Sequence, residues 1–175
     1  MEQLIQQICE AFKEPTTDEV HRQWGNRLIE EHVNLLDLVT IIYKDKPVSN
    51  QFSYMIGGLC ETKPEMVAPT ITYFFNNRSK INIPHFNRSL AKMFYLVGIP
   101  KEIEGAAIDA MFKWLIDPKS NISTKSFSLK CIHKNLTKHR GLKNEFLTCL
   151  EDLDGKNTHS FNKLVRRVIH ELTIR

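Results

Sequence analysis

Gln51-Phe52-Ser53-Tyr54-Met55-Ile56-Gly57-Gly58-Leu59-Cys60 places Phe, Ile and Cys at offsets of 0, 4 and 8, the spacing of one buried stripe on an α-helix. The same phrase returns as His85-Phe86-Asn87, Ser126-Phe127-Ser128 and Ser160-Phe161-Asn162, at intervals of 34, 41 and 34 residues. Four positions after each Phe stand Ile56, Leu90, Cys131 and Val165, and eight positions after stand Cys60, Phe94, Asn135 and Ile169. Only Asn135 breaks the apolar pattern, with Lys134 beside it. Self-similarity at this period predicts stacked helix pairs, because no single pair covers such a stripe. The expected fold is all-α, a HEAT/armadillo-like α-solenoid of about four helix pairs behind an N-terminal helical cap. An irregular helical bundle is the competing reading.

Outward from these phrases, apolar residues recur at three- and four-residue spacing almost throughout, and strand-like alternation is hard to find. Leu4, Ile5, Ile8, Cys9 and Phe12 form a first amphipathic face that ends before Pro15. Thr16-Thr17-Asp18-Glu19 then reads as a fresh N-cap with acids in the first turn, opening a helix that carries Val20, Trp24, Leu28 and Ile29. Further helices are predicted over 33–44, 48–61, 64–77, 84–97, 101–117, 123–138, 141–153 and 158–173. Their breaks are marked by Pro47, Pro64, Pro84, Pro100, Pro118 and the Asp154-Gly155 turn, and each is too short for anything but antiparallel neighbours. One domain over 1–175 is expected, with 1–31 as cap helices and 33–173 as repeat pairs. Within it, Gly57-Gly58 predicts a close backbone approach, since glycine inside a helix otherwise only weakens it.

The composition, 42% hydrophobic and 25% charged over 175 residues, is that of a folding globular chain and excludes a disordered one. The start, Met1-Glu2-Gln3-Leu4-Ile5, has no basic segment, and no run of apolar residues is long enough to cross a bilayer, so the expectation is a cytoplasmic protein without membrane association. Cys9, Cys60, Cys131 and Cys149 form no C-x-x-C pair and read as reduced, buried, small hydrophobes. Charge is unevenly spread. Residues 1–118 hold 12 Lys/Arg against 15 Asp/Glu, a balance of −3, whereas residues 119–175 hold 12 against 5, a balance of +7.

No G-x-S-x-G, Cys-His motif or glycine-rich phosphate loop is present, so no catalytic residue is assigned. The seven histidines never form H-x-x-x-H, so neither metal nor cofactor is expected. Glu30-Glu31, Glu102 with Glu104, and Glu151-Asp152 read as surface carboxylates, and Trp24 and Trp114 as core.

Two and six residues after each Phe, opposite the buried stripe, stand Tyr54/Gly58, Arg88/Lys92, Leu129/His133 and Lys163/Arg167. Lys130, Lys134 and Lys138 follow at i, i+4 and i+8, then His139-Arg140 and Lys143. The candidate binding surface is therefore Arg88, Lys92, Lys130, His133, Lys134, Lys163 and Arg167, a positive groove suited to acidic side chains or phosphates. A protein partner bound through the concave face by a non-enzymatic module is the leading expectation. Nucleic-acid binding is the alternative, and an enzyme with an unrecognised site the third.

Met111-Phe112-Lys113-Trp114-Leu115-Ile116-Asp117, then Lys125-Ser126-Phe127-Ser128-Leu129 and the ending Ile169-His170-Glu171-Leu172, resemble small HEAT-like proteins common in Bacteroidetes, many of which carry the name adenylosuccinate lyase. The resemblance runs from about residue 33 onward and implies a HEAT-like helical array. True adenylosuccinate lyases are much longer and carry a Ser-Ser-x-Met-Pro-x-Lys-x-Asn loop, which this chain lacks. Their catalytic histidine and serine therefore have no position here. DNA alkylation-repair glycosylases share the HEAT-like fold, but their acid, tryptophan and basic set cannot be placed on this sequence.

Overall fold

The structure is a computed structural model that describes residues 1–174, and among these residues every regular element is helical. The α-helices are α1 (Glu2–Ala11), α2 (Asp18–Glu30), α3 (Val48–Thr62), α4 (Pro64–Val67), α5 (Ile71–Asn77), α6 (Phe86–Leu96), α7 (Glu104–Ile116), α8 (Ile122–Asn135), α9 (Lys143–Leu153) and α10 (His159–Thr173). Among the described residues no helix is long and apolar enough to cross a membrane. The helices gather into two compact units, Met1–Ile103 and Glu104 onward. The charge asymmetry persists, though smaller, when the chain is divided at this boundary. The first unit holds 11 Lys/Arg against 12 Asp/Glu, and the second 13 against 8, balances of −1 and +5.

Side-chain caps start two of the α-helices, α2 and α8. Thr17 caps α2 by accepting from the Val20 amide, ahead of Asp18 and Glu19 in the first turn. Asn121 caps α8, its Oδ1 accepting from the Thr124 amide at 2.8 Å and the Thr124 hydroxyl at 2.9 Å. Gly155 makes the turn before α10 at φ +77°, a conformation costly for other residues.

Two predicted helices take a different form. The stretch expected as an α-helix over 33–44 is a 3-10 helix, Leu35–Tyr43. Its buried Leu35, Leu38, Val39, Ile41 and Ile42 fit a 3-10 and an α spacing alike, and the β-branched run Val39-Thr40-Ile41-Ile42 weakens the α alternative. The helix expected over 64–77 is interrupted by Pro69, which has no amide hydrogen to give the ladder, so α4 and α5 are separated by a 3-10 turn, Ala68–Thr70. Prolines thus interrupt here as well as punctuate.

In the first unit α3 is central, with α2 packed on one side and α6 on the other, while the Leu35–Tyr43 helix packs against α3 and α5 against α6. Arg27 of α2 reaches back to donate to Gln7 Oε1 of α1 at 2.9 Å. Phe52, Ile56 and Cys60 of α3 and Phe86, Leu90 and Phe94 of α6 are all buried, as the repeated phrase requires. In the second unit α7 packs on α8, α9 on α10, and α8 on α10. Phe112 of α7 meets Phe146 of α9 edge to face at 6.0 Å. Phe161 and Val165 of α10 are buried.

The third phrase departs from the pattern. Phe127 is only half-buried, and α8 instead turns Thr124, Ser128, Leu129, Cys131 and Ile132 inward. Its buried face is rotated by about one residue, roughly 100° of helix, relative to the other phrases. Trp114 is buried as expected and Trp24 half-buried. All four cysteines are free thiols, but only Cys60 and Cys131 are buried; Cys9 and Cys149 are half-buried near helix surfaces.

Candidate functional site

Between α2, α3 and α6 the first unit opens a cleft of about 430 Å³, within the range of sites that take a small molecule or a side chain. It exists because α3 lacks side chains where a neighbour would otherwise fill the space. A Cβ on Gly58 would meet nothing within 4 Å, and one on Gly57 only the Lys92 Nζ at 3.8 Å. The Gly57-Gly58 pair therefore serves an open surface, not the close backbone approach predicted for it. Close approach falls to Gly25 of α2, where a Cβ would sit 3.3 Å from Leu59 Cδ2.

The polar groups of the cleft come from all three helices. Ser53 of α3 and Ser89 of α6 share a hydrogen bond of 3.1 Å. Lys92 of α6 pairs with Glu61 of α3 at 2.7 Å. His21 of α2 is buried, and its Nε2 donates to Gln51 Oε1 at 2.7 Å, an oxygen that also accepts from the Thr16 hydroxyl at 3.2 Å. Because that acceptor is an amide oxygen, Nε2 carries the proton and Nδ1 faces Asp18, 3.8 Å away. The fixed imidazole lies 5.9 Å from the Tyr54 ring, which is 56% exposed over the cleft. Arg22 at the rim is engaged by Glu19. Arg88 has no ion-pair or hydrogen-bond partner for its guanidinium among the described residues.

The sequence-predicted surface residues fall into two sets. Arg88 and Lys92 line this cleft together with Tyr54 and Gly58, so the offsets of two and six after Phe52 and Phe86 mark one site. Lys130, His133 and Lys134 lie on α8, and Lys163 and Arg167 on α10. His133 Nε2 and Arg167 Nε converge on Glu171, at 3.6 and 3.8 Å from its carboxylate oxygens, and Lys130 Nζ sits 5.8 Å from the Phe127 ring centre. At Leu129 the offset rule fails outright, since that residue is fully buried. The lysine ladder also stops short. α8 ends at Asn135, and Lys138 turns to Glu104 at 3.3 Å, with His139 at 3.6 Å from the same carboxylate.

Sequence reasoning missed the roles of Ser53, Ser89, Glu61 and His21, since their convergence depends on which helices adjoin α3. Among the described residues no three His, Cys, Asp or Glu side chains are grouped to hold a metal ion. No known family model matches the chain, and neither the curated proteins nor the solved structures yield a match.

Proposed function

We propose that the protein is a non-enzymatic interaction module of the cytoplasm, its helix pairs stacked in HEAT-like order, with the second helix of each pair presented to an acidic protein partner. The adjacency of α2, α3 and α6 in one unit, and of α8 and α10 in the other, supports that order, since second helices line the concave side of such arrays. The observation that carries the reading is the separation of charge between layers of the second unit. The second helices α8 and α10 hold five Lys/Arg outside the core, besides the buried Lys125, against one carboxylate, Glu171, whereas the first helices α7 and α9 hold two lysines against five carboxylates. Solvation alone has no reason to sort charge by helix, whereas an acidic partner on the α8–α10 face does.

Fluorescence anisotropy with a labelled glutamate-rich peptide tests this. Binding is expected, and Lys163→Gln/Arg167→Gln is expected to abolish it with only a small change in the thermal midpoint, because both side chains are exposed and the Arg167 pair with Glu171 is a surface one. Robust cleavage of adenylosuccinate by the purified protein, lost on changing one polar side chain, would sink the non-enzymatic reading.

Nucleic acid is the second reading, favoured by Lys130/Lys134 and Lys163/Arg167 standing one turn apart on adjoining helices. Four phosphate contacts to a single strand imply a log–log salt slope near −2.8, or about a 50-fold loss of affinity between 50 and 200 mM salt. A flat titration removes that reading.

A further inference from the structure

We propose that the α2–α3–α6 cleft is a binding site for a singly charged carboxylate carried on a flat apolar body, with the Arg88 guanidinium as its anchor. This rests on the first unit alone and does not require the α8–α10 face to bind anything.

The charges of the cleft point to this ligand class. Each of its other cations is held by a carboxylate: Lys92 by Glu61 at 2.7 Å, and Arg22 by Glu19. Asp18 stands opposite His21. Arg88 alone offers an uncommitted planar fork of donors, the geometry that grips a carboxylate through two parallel hydrogen bonds. With Lys92 and Arg22 already neutralised, Arg88 leaves one positive charge to be matched, so a monocarboxylate fits the cleft and a phosphate dianion exceeds it.

The remaining groups complete the fit. Ser53 and Ser89 carry two hydroxyl protons and use one between themselves, which leaves one hydroxyl to donate to a ligand oxygen. Tyr54 presents an exposed ring beside the fixed His21 imidazole, a surface on which a flat body stacks. The Gly57-Gly58 backbone supplies a floor without side chains. Two consecutive glycines in mid-helix weaken α3 and gain no packing contact in return, and room for a ligand is the use the structure gives them.

Such a carboxylate has two sources: an acidic side chain next to an aromatic residue in a partner protein, or a free small aromatic acid. Amide chemical shifts of the full-length protein are to be followed during titration with the capped peptide acetyl-Tyr-Glu-Tyr-amide, with phenylacetate, and with inorganic phosphate. At least one carboxylate probe is expected to shift the amides of Gly57, Gly58 and Ser89, and the tighter of the two identifies the source. Arg88→Gln, at an exposed position, is expected to weaken that probe about ten- to hundredfold, the worth of a charge-assisted pair. Gly58→Leu, which fills the floor, is expected to remove binding while the protein stays folded. The proposal is overturned if neither carboxylate shifts those amides, if Arg88→Gln binds as well as the parent, or if phosphate binds as tightly as the carboxylates.

Discussion

Gly58→Ala should make the protein more stable, and by an amount that can be worked out. Gly58 lies well inside the 15-residue α3, at a helical backbone angle that alanine adopts freely, and the new Cβ would have no heavy atom within 4 Å. Steric cost is therefore nil, and the helix propensity difference between glycine and alanine, about 0.8–1.0 kcal/mol, is left as the whole effect. For a chain of this length that corresponds to a rise of roughly 2–4 °C in the thermal midpoint.

Gly25→Ala is the internal comparison. It gains the same propensity term, but its Cβ would press to 3.3 Å on Leu59 Cδ2, and Leu59 is itself buried between helices. Overpacking of that kind costs about 1–3 kcal/mol, so the net change lies between neutral and about 2 kcal/mol of destabilisation. Far-UV circular dichroism melts of the two variants beside the parent measure both. If Gly58→Ala melts lower than the parent, or Gly25→Ala gains as much as Gly58→Ala, then the assignment of one glycine to an open cleft and the other to a helix contact is wrong.

Four other outcomes follow from the structure. Glu104 loses solvation by burial, yet its bonds to Lys138 and His139 outweigh this and hold its pKa below the ordinary carboxylate value, so the ionised form is favoured in the folded state. That stabilisation is present above the unfolded pKa of about 4.3 and is lost as pH falls through the folded value, so the melting gap between the parent and Glu104→Gln should close below about pH 4. Burial pushes the Cys60 and Cys131 thiols up to about 12, so at pH 8 differential alkylation with mass-spectrometric readout should label Cys9 and Cys149 first and reach the other two only on unfolding. Asn121→Ala removes the α8 cap and should cost about 1 kcal/mol in denaturant unfolding. Ser128 is fully buried with no hydrogen-bond partner among the described residues, so Ser128→Ala should be neutral or stabilising by about 1 kcal/mol, and a clear loss would reveal a hidden partner for the hydroxyl.

The helical content was legible in the sequence because its period is set by local geometry, and most boundaries fall within a few residues of the predicted ones. Thr17 and the Asp154-Gly155 turn were readable from residue type alone. What escaped depended on competition between local and tertiary terms. Leu35–Tyr43 matches both an α and a 3-10 spacing over so short a run, and its buried residues, Leu35, Leu38, Val39, Ile41 and Ile42, serve either one. Phe127 carries the same flanking residues as its counterparts, but α8 contributes small and mixed side chains inward, Thr124, Ser128 and Cys131, and the large ring is the one left at the edge. The glycine pair was visible as an anomaly, yet an open surface and a tight contact leave the same trace in one sequence.

The candidate site shows why the offset rule worked where it did. In α3 and α6 the buried positions are Phe52, Ile56 and Cys60, and Phe86, Leu90 and Phe94, and a shift of two residues turns a side chain by about 200°, to the side away from that stripe. Tyr54, Gly58, Arg88 and Lys92 therefore bound the same cleft without touching the core that places them. In α8 the buried face has rotated by about one residue, so the same arithmetic delivers Leu129 to the interior and leaves the basic residues to be set by charge. A repeat whose stripe stays in phase can vary its binding face freely, because core and site occupy opposite sides of one helix. Where the stripe slips, each surface position has to be read from the structure anew.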